Sequence, residues 1–328
     1  MGNPTPRQPN AFSKSKTTSV VISSKPNLQA VRDIAAETRI RPSFIEKNWF
    51  AVQLLALLSS FKNDRGVALV FSGGTSLSKG HGIIKRFSED LDFILPVQTE
   101  LSEGQRRGFR QDVIAHILQD DRFKMDDGAL QRGDSNRFFK APLTYEKAFP
   151  DKFLRPYLQL EMTFTQNRLP PVSCPIRSIV AEAQGKEAEA HILCVSPVET
   201  AADKVSALTW RVLVRDRQAK GDDPTLVRHL HDLAALHHEV EAHRKTFVTC
   251  VRQSLEQDRT RRGGERIATL SVHERIGQAL KVLRDDPLYR DEYDQFVTNM
   301  SYADEDQRID FYRALVLLNQ IAQIVLAA

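Results

Sequence analysis

The sequence predicts an α/β core followed by a helical C-terminal domain. Strand-like runs at "VALVF" (Val67–Phe71), "EDLDFIL" (Glu89–Leu95) and "YLQLEMTF" (Tyr157–Phe164) alternate with helical patterns, and beyond Ser196 only helical patterns remain. This divides the chain into an arm over residues 1–27, a core over 28–190 and a helical domain over 191–328. The arm is rich in Pro, Ser, Thr and Lys with few large apolar groups, which is the composition of a flexible segment.

From Leu28 to about Phe61 apolar residues recur at helical spacing, including Ile45, Trp49, Val52, Leu55 and Leu58. "VALVF" then runs into Gly73, Gly74, Thr75 and Ser76, which read as a turn. In "EDLDFIL" alternate residues share a face, so Asp90 and Asp92 point to one side while Leu91, Phe93 and Leu95 enter a core. A helical pattern begins at Ser102, and "RFFKAPLTYEKAF" reads as strand and turn. In "YLQLEMTF", Leu158, Leu160, Met162 and Phe164 take one face and leave Glu161 on the other. Ser196, Pro197 and Glu199 form a capping-box pattern opening the first C-terminal helix, and "KGDDP", "RRGGER" and "RDDPLYRDEY" mark breaks between later ones. The closing segment "RIDFYRALVLLNQIAQIVLAA" is a strongly apolar helix suited to packing in a bundle or against a partner.

Composition sets outer limits. The chain has 328 residues, 41% of them hydrophobic, and a net charge of +4, which permits a polyanionic partner without demanding one. Cys174, Cys194 and Cys250 lack paired metal-ligand spacing, so neither a zinc site nor a disulfide framework is expected, and a reducing cytoplasmic setting fits. No apolar run approaches the roughly 18 residues of a membrane span, and the N-terminus lacks the apolar core of a secretion signal. A soluble, unexported protein with no membrane partner is the expectation.

The chemistry centres on Asp90 and Asp92. Adjacent carboxylates repel each other unless a cation lies between them, and Mg2+ takes oxygen ligands of this kind. A glycine turn after a strand, two carboxylates on the next and a third, Glu161, on a later strand make a constellation suited to nucleotidyl transfer. Two Mg2+ ions held by Asp90, Asp92 and Glu161 would activate an attacking hydroxyl and clamp a triphosphate as pyrophosphate leaves. Gly73, Gly74, Thr75 and Ser76 would bring N–H groups and hydroxyls to the phosphates. Either motif alone also describes a plain turn or a solvated strand face; their order and context favour the site. In the helix after Ser196, Lys204, Arg211 and Arg215 fall along one stripe, which would receive a triphosphate or RNA backbone or else face water. His229 and His231 diverge on their helix and complete no metal site, and the arginines of "RTRRGGER" match both an RNA grip and an exposed loop.

The stretch "LVFSGGTSLSKGHGIIKRFSEDLDF" resembles the AbiEii/AbiGii-type nucleotidyltransferase toxins of toxin–antitoxin and phage-defence systems, within the polymerase-beta-like nucleotidyltransferase superfamily. "IEKNWF" is similar to the family's preceding helix, with Asn48 where aspartate is common. "SPVETAADKVSAL" resembles the helix of its active-site lysine, which falls on Lys204, and "VRHLHDLAAL" resembles its Arg-Asp-x-x-Asp helix, with His229 at the first aspartate and Asp232 at the second. The resemblance implies a polymerase-beta-like core with a mixed sheet and a cleft against a helical C-terminal domain. It implies transfer of a nucleoside monophosphate from an NTP to the 3′ end of a tRNA, with a cognate antitoxin encoded nearby. Asp90, Asp92, Lys204 and Asp232 would act in catalysis, and Gly73, Gly74, Thr75, Ser76, Arg86, Ser88, Lys204 and Arg211 would bind nucleotide. Two other readings are nucleotidylation of a protein side chain and a non-catalytic nucleotide- or RNA-binding module. Ser88 would share the face of Asp90 and Asp92 if the strand extended back to it, and a phosphate there would repel nucleotide.

Overall fold

The computed structural model describes residues 24–126, 128–152, 154–259 and 264–328. The 1–27 arm therefore lies almost wholly outside the described residues, as does the centre of "RTRRGGER". Among the described residues there are seven strands: β1 (Val70–Ser72), β2 (Asp90–Ile94), β3 (Gln131–Gly133), β4 (Phe138–Thr144), β5 (Tyr157–Thr163), β6 (Val172–Ile176) and β7 (Ala190–Cys194). The core helices are α1 (Leu28–Thr38), α2 (Pro42–Ser60), α3 (Gly73–Lys79), α4 (Glu103–Leu118) and α5 (Ile179–Ala183). The C-terminal helices are α6 (Pro197–Val214), α7 (Arg228–Ala235), α8 (His237–Ala242), α9 (Arg244–Asp258), α10 (Glu265–Ala268), α11 (Val272–Asp285), α12 (Leu288–Met300) and α13 (Phe311–Leu326).

The strands form one sheet in the order β3-β4-β5-β2-β1-β7-β6. It is mixed: β1 runs antiparallel to β2 and parallel to β7, and β2 runs parallel to β5. The expected α/β core and helical C-terminal region are thus the observed architecture. Alternation in β2 buries Leu91 and Phe93 and leaves Asp90 and Asp92 on the opposite face. The same rule buries Leu158, Leu160 and Met162 of β5 and turns Glu161 away from them.

The sheet and its flanking helices share a core built around Trp49, Phe50, Phe71, Phe93 and Phe139, and the C-terminal helices share another. Leu77 of α3 and Ile84 belong to the second core although they precede β2 in the chain. Backbone bonds run the same way, with Phe87 N donating to Met300 O at 2.9 Å and Tyr302 N to Lys85 O at 3.0 Å. The segment leading into β2 is thereby stitched to the end of α12.

Three local expectations change. "EDLDFIL" forms a strand only from Asp90, so Ser88 precedes β2 rather than extending it. Glu199 does not close the N-terminus of α6: its carboxylate accepts from the backbone N–H groups of Arg168 and Leu169, both at 2.9 Å, and Ser196 makes no side-chain cap. The C-terminal segment proves long and apolar enough to cross a membrane by length and composition, over Glu305–Leu326. Its α13 packs Phe311, Ala314, Leu318, Ile321 and Val325 into the second core, which is the packing role expected of it.

Arg215, at the end of α6, donates to Asp222 twice at 2.7 Å and to Glu292 of α12 at 2.7 and 2.8 Å. Its side chain is 5% exposed, so it cements the bundle rather than facing solvent or ligand. Arg215→Leu breaks these bonds around partly buried carboxylates and should lower the unfolding free energy by about 3 kcal/mol, read as a drop in the urea midpoint.

Candidate active site

Gly73 and Gly74 follow β1 directly and open α3, so the turn expected there is the first turn of that helix, and it is shaped by the protein's own charges. Gly73 has φ +74, and a Cβ there would lie 2.2 Å from Asp92 Oδ2. At Gly74 a Cβ would lie 2.5 Å from the Arg86 guanidinium and 3.3 Å from Ser88 Oγ. The glycines therefore admit a carboxylate and a guanidinium at backbone distance, where any side chain would displace them. Thr75 Oγ1 donates to the Asp90 carbonyl at 2.5 Å and Ser76 Oγ to the Gly73 carbonyl at 3.0 Å. Both side chains are buried; the Thr75 hydroxyl holds the turn against β2, and the Ser76 hydroxyl closes the turn on itself.

The parallel register of β2 with β5 sets Asp92 beside Glu161 and Asp90 beside Gln159. The three carboxylates expected to act together thus lie on one sheet face. Cations guard two of them: Arg155 Nη1 is 2.9 Å from Asp90 Oδ1, and Lys140 Nζ is 2.6 Å from Glu161 Oε1. Lys140 was not anticipated, although it stands directly opposite Glu161 in the β4–β5 register. Burial, then the charges of Asp90 and Glu161, push the Asp92 carboxyl up to about 7.

Behind the carboxylates lies a buried ion cluster. Arg86 grips Asp232 of α7 with two bonds of 2.6 Å, and Lys204 of α6 donates to the same carboxylate at 2.6 Å. Burial alone would raise the Asp232 carboxyl, but Arg86 and Lys204 outweigh it and hold it well below its ordinary value. Burial draws the Lys204 ammonium down against the pull of Asp232. Two cations against one anion leave one net positive charge, and Lys204 acts electrostatically on Asp92. Arg228, four residues before Asp232 on the same helix, binds Asp223 instead, at 2.8 Å.

The remaining predicted residues fall elsewhere. Arg211 pairs with Asp223 at 3.0 Å, so the Lys204, Arg211 and Arg215 stripe is divided among three sets of acidic partners. Ser88 lines a cavity of about 30 Å³ with Lys47, Lys79, Arg86 and Glu89, on the α2 side of the turn. His229 is half-buried with its ring nitrogens out of solvent, and burial, then the charges of Lys204, Arg228 and Arg211, hold its ring well below its ordinary value. Neither of its nitrogens makes a hydrogen bond. Asn48, at the position where aspartate was the alternative, caps α5 by accepting from Ile179 N at 2.8 Å.

A family model described as the nucleotidyl transferase AbiEii toxin of type IV toxin–antitoxin systems matches residues 56–315. Among solved structures the chain is similar to MenT4, a nucleotidyltransferase toxin from Mycobacterium tuberculosis, at 18% identity over 90% of this chain and 98% of that one, with a TM-score of 0.44. No curated protein matches the chain.

Two predictions follow from this geometry. Gly66 and Gly73 share a positive φ, but only Gly73 faces another group within 4 Å. Gly66→Ala should therefore cost only backbone strain of about 1–2 kcal/mol, whereas Gly73→Ala should also displace Asp92 and abolish whatever reaction the carboxylates support. The second concerns charge. Between the ordinary 3.8 and about 7, Asp92 holds its proton in the folded chain and has lost it in the unfolded one. Its contribution to stability therefore falls as pH rises through that window. In chelator-treated protein, Asp92→Asn should gain stability relative to the parent between about pH 5 and about pH 8 in urea denaturation; a constant gap would remove the repulsion.

Proposed function

The chain belongs to the AbiEii family of nucleotidyltransferase toxins of type IV toxin–antitoxin systems, and from that premise we propose that it transfers a nucleoside monophosphate from an NTP to the 3′-terminal hydroxyl of a tRNA, releasing pyrophosphate. The observation that carries the reading is the meeting of Asp90, Asp92 and Glu161 on one sheet face against the Gly73 turn, backed by a net positive buried cluster. A basic overall charge of +4 suits an RNA acceptor. The reaction would take place in the cytoplasm, where tRNA is found, under the control of a cognate antitoxin, and phage defence is one setting for such a pair.

The donor set is all oxygen and self-repelling, the charges of Asp90 and Glu161 adding to burial in raising the Asp92 carboxyl, so it fits a hard dication such as Mg2+. Asp90, Asp92 and Glu161 would hold it, with Arg155 and Lys140 moving off two of those carboxylates as it enters. When bound, Mg2+ supplies positive charge to the triphosphate and acidity to the acceptor hydroxyl. Lys204, held in place by Asp232, would offset the negative charge that builds on the departing pyrophosphate. Arg86 has its guanidinium committed to Asp232 and to the Phe87 carbonyl, so its part is to hold the glycine turn against α7. Thr75 and Ser76 act likewise through their backbone, their hydroxyls being engaged.

The test is incubation with labelled NTPs, total tRNA and cell protein. Label should enter RNA, with Asp92→Asn and Lys204→Ala each lowering incorporation by more than about 100-fold. Label in protein would move the acceptor to a side chain, and label in neither would leave a binding module.

A further inference from the structure

A second group of chemistry-bearing side chains lies away from the carboxylates, at the far end of α3. His81 follows Gly80, the residue at the C-terminus of that helix, and both of their N–H groups bond the Ser76 carbonyl, at 3.0 and 2.9 Å respectively. Cys174 and Cys194 lie on the antiparallel pair β6–β7, where Val172 faces Cys194 and Cys174 faces Ile192. The two thiols are therefore diagonal neighbours on one face of the sheet. One ligand atom from each of His81, Cys174 and Cys194 lies within 4.8 Å of the other two. No short-range pattern marks this group, because His81 lies 93 positions before Cys174 and the two cysteines have no paired metal-ligand spacing.

The details are those of a metal site. His81 Nε2 is 2.9 Å from the Val195 carbonyl, which can only accept, so Nε2 carries the proton and Nδ1 presents a lone pair. Metal-bound imidazoles are oriented in this way, by giving the other ring N–H to a backbone carbonyl. Nδ1 stands 3.7 Å from Cys174 Sγ. Tetrahedral zinc, with bonds of about 2.3 Å to sulfur and about 2.0 Å to nitrogen, places ligand atoms roughly 3.5–3.8 Å apart. The thiols are 4% and 0% exposed, and a Cβ at Gly80 would meet Cys194 Sγ at 2.6 Å, so the glycine leaves room for the sulfur.

We propose that His81, Cys174 and Cys194 form a structural site for a borderline-soft dication, Zn2+, distinct from the carboxylate centre and independent of the activity proposed above. Binding replaces two thiol protons, which pass to solvent, so two thiolates and one dication leave the buried group neutral. The ion would tie the end of α3 to the strand pair that leads through Val195 into α6. It would thereby fix the glycine turn at one end of α3 relative to the helix that carries Lys204.

The test uses the full chain and zinc or cobalt alone. Purified without chelator, the protein should retain about one Zn2+ per chain, and Co2+ substitution should give thiolate-to-metal charge-transfer absorption with tetrahedral visible bands. Cys174→Ser and Cys194→Ser should abolish both signals, and His81→Gln should weaken zinc affinity by about 10-fold or more. Cys250→Ser, buried in the other core, should change neither. The cobalt spectrum of the unaltered protein needs no variant, so a variant that misfolds does not decide the matter. Absence of thiolate–cobalt absorption, undiminished zinc in the double serine variant, or a Cys174–Cys194 disulfide in the native protein would each overturn the proposal.

Discussion

The site depends on one carboxylate being shared by two buried cations. Asp232 is fully buried and binds both Arg86 and Lys204, and these three residues come from the segment before β2, from α6 and from α7. Removing either cation would weaken the compensation of a charge that has no water to fall back on, and removing the acid would leave two cations facing each other. The cluster therefore does two things at once. It fixes the second core against the glycine turn, and it delivers a surplus positive charge where the sheet face is negative.

That negative face is the opposing constraint. Side-chain alternation on β2 and the β2–β5 register leave Asp90, Asp92 and Glu161 no choice of direction once Leu91, Phe93, Leu160 and Met162 are buried. The hydrophobic core enforces a repulsion that the fold alone does not relieve. Lys140 and Arg155 ease it at the two flanks, while Asp92, pressed against Gly73, keeps part of it as a raised carboxyl.

Much of this was legible in the sequence because it is local. The period-two pattern gave β2 and β5 with the correct faces, and the helices after Ser196 followed from short-range rules, whereas the glycines after β1 open helix α3 rather than form a separate turn. What escaped depended on long-range pairing. β6 and β7 carry no strong alternation signal and were missed, and β7 extends the sheet to Cys194, past the expected boundary at 190. Glu199 looked like a helix cap because its spacing fits one, yet the loop at Arg168 offers two N–H groups that bind it instead. The three cations on α6 share a stripe, but spacing says nothing of the acids on other elements that neutralise them. Lys140, Arg155 and the partners of Asp232 likewise emerge only when distant segments meet.

The stitch between residues 85–87 and 300–302 also bears on how the molecule comes into being. Ser301 Oγ bonds the Lys85 carbonyl across 216 positions of chain, and the Asp232 cluster closes another loop of 146. Contacts of such span are slow to form, because the intervening chain must be ordered before they are rewarded. During synthesis, the segment that leads into β2 therefore gains its anchor on α7 only after residues near 232 emerge, and its anchor on the end of α12 only after those near 300.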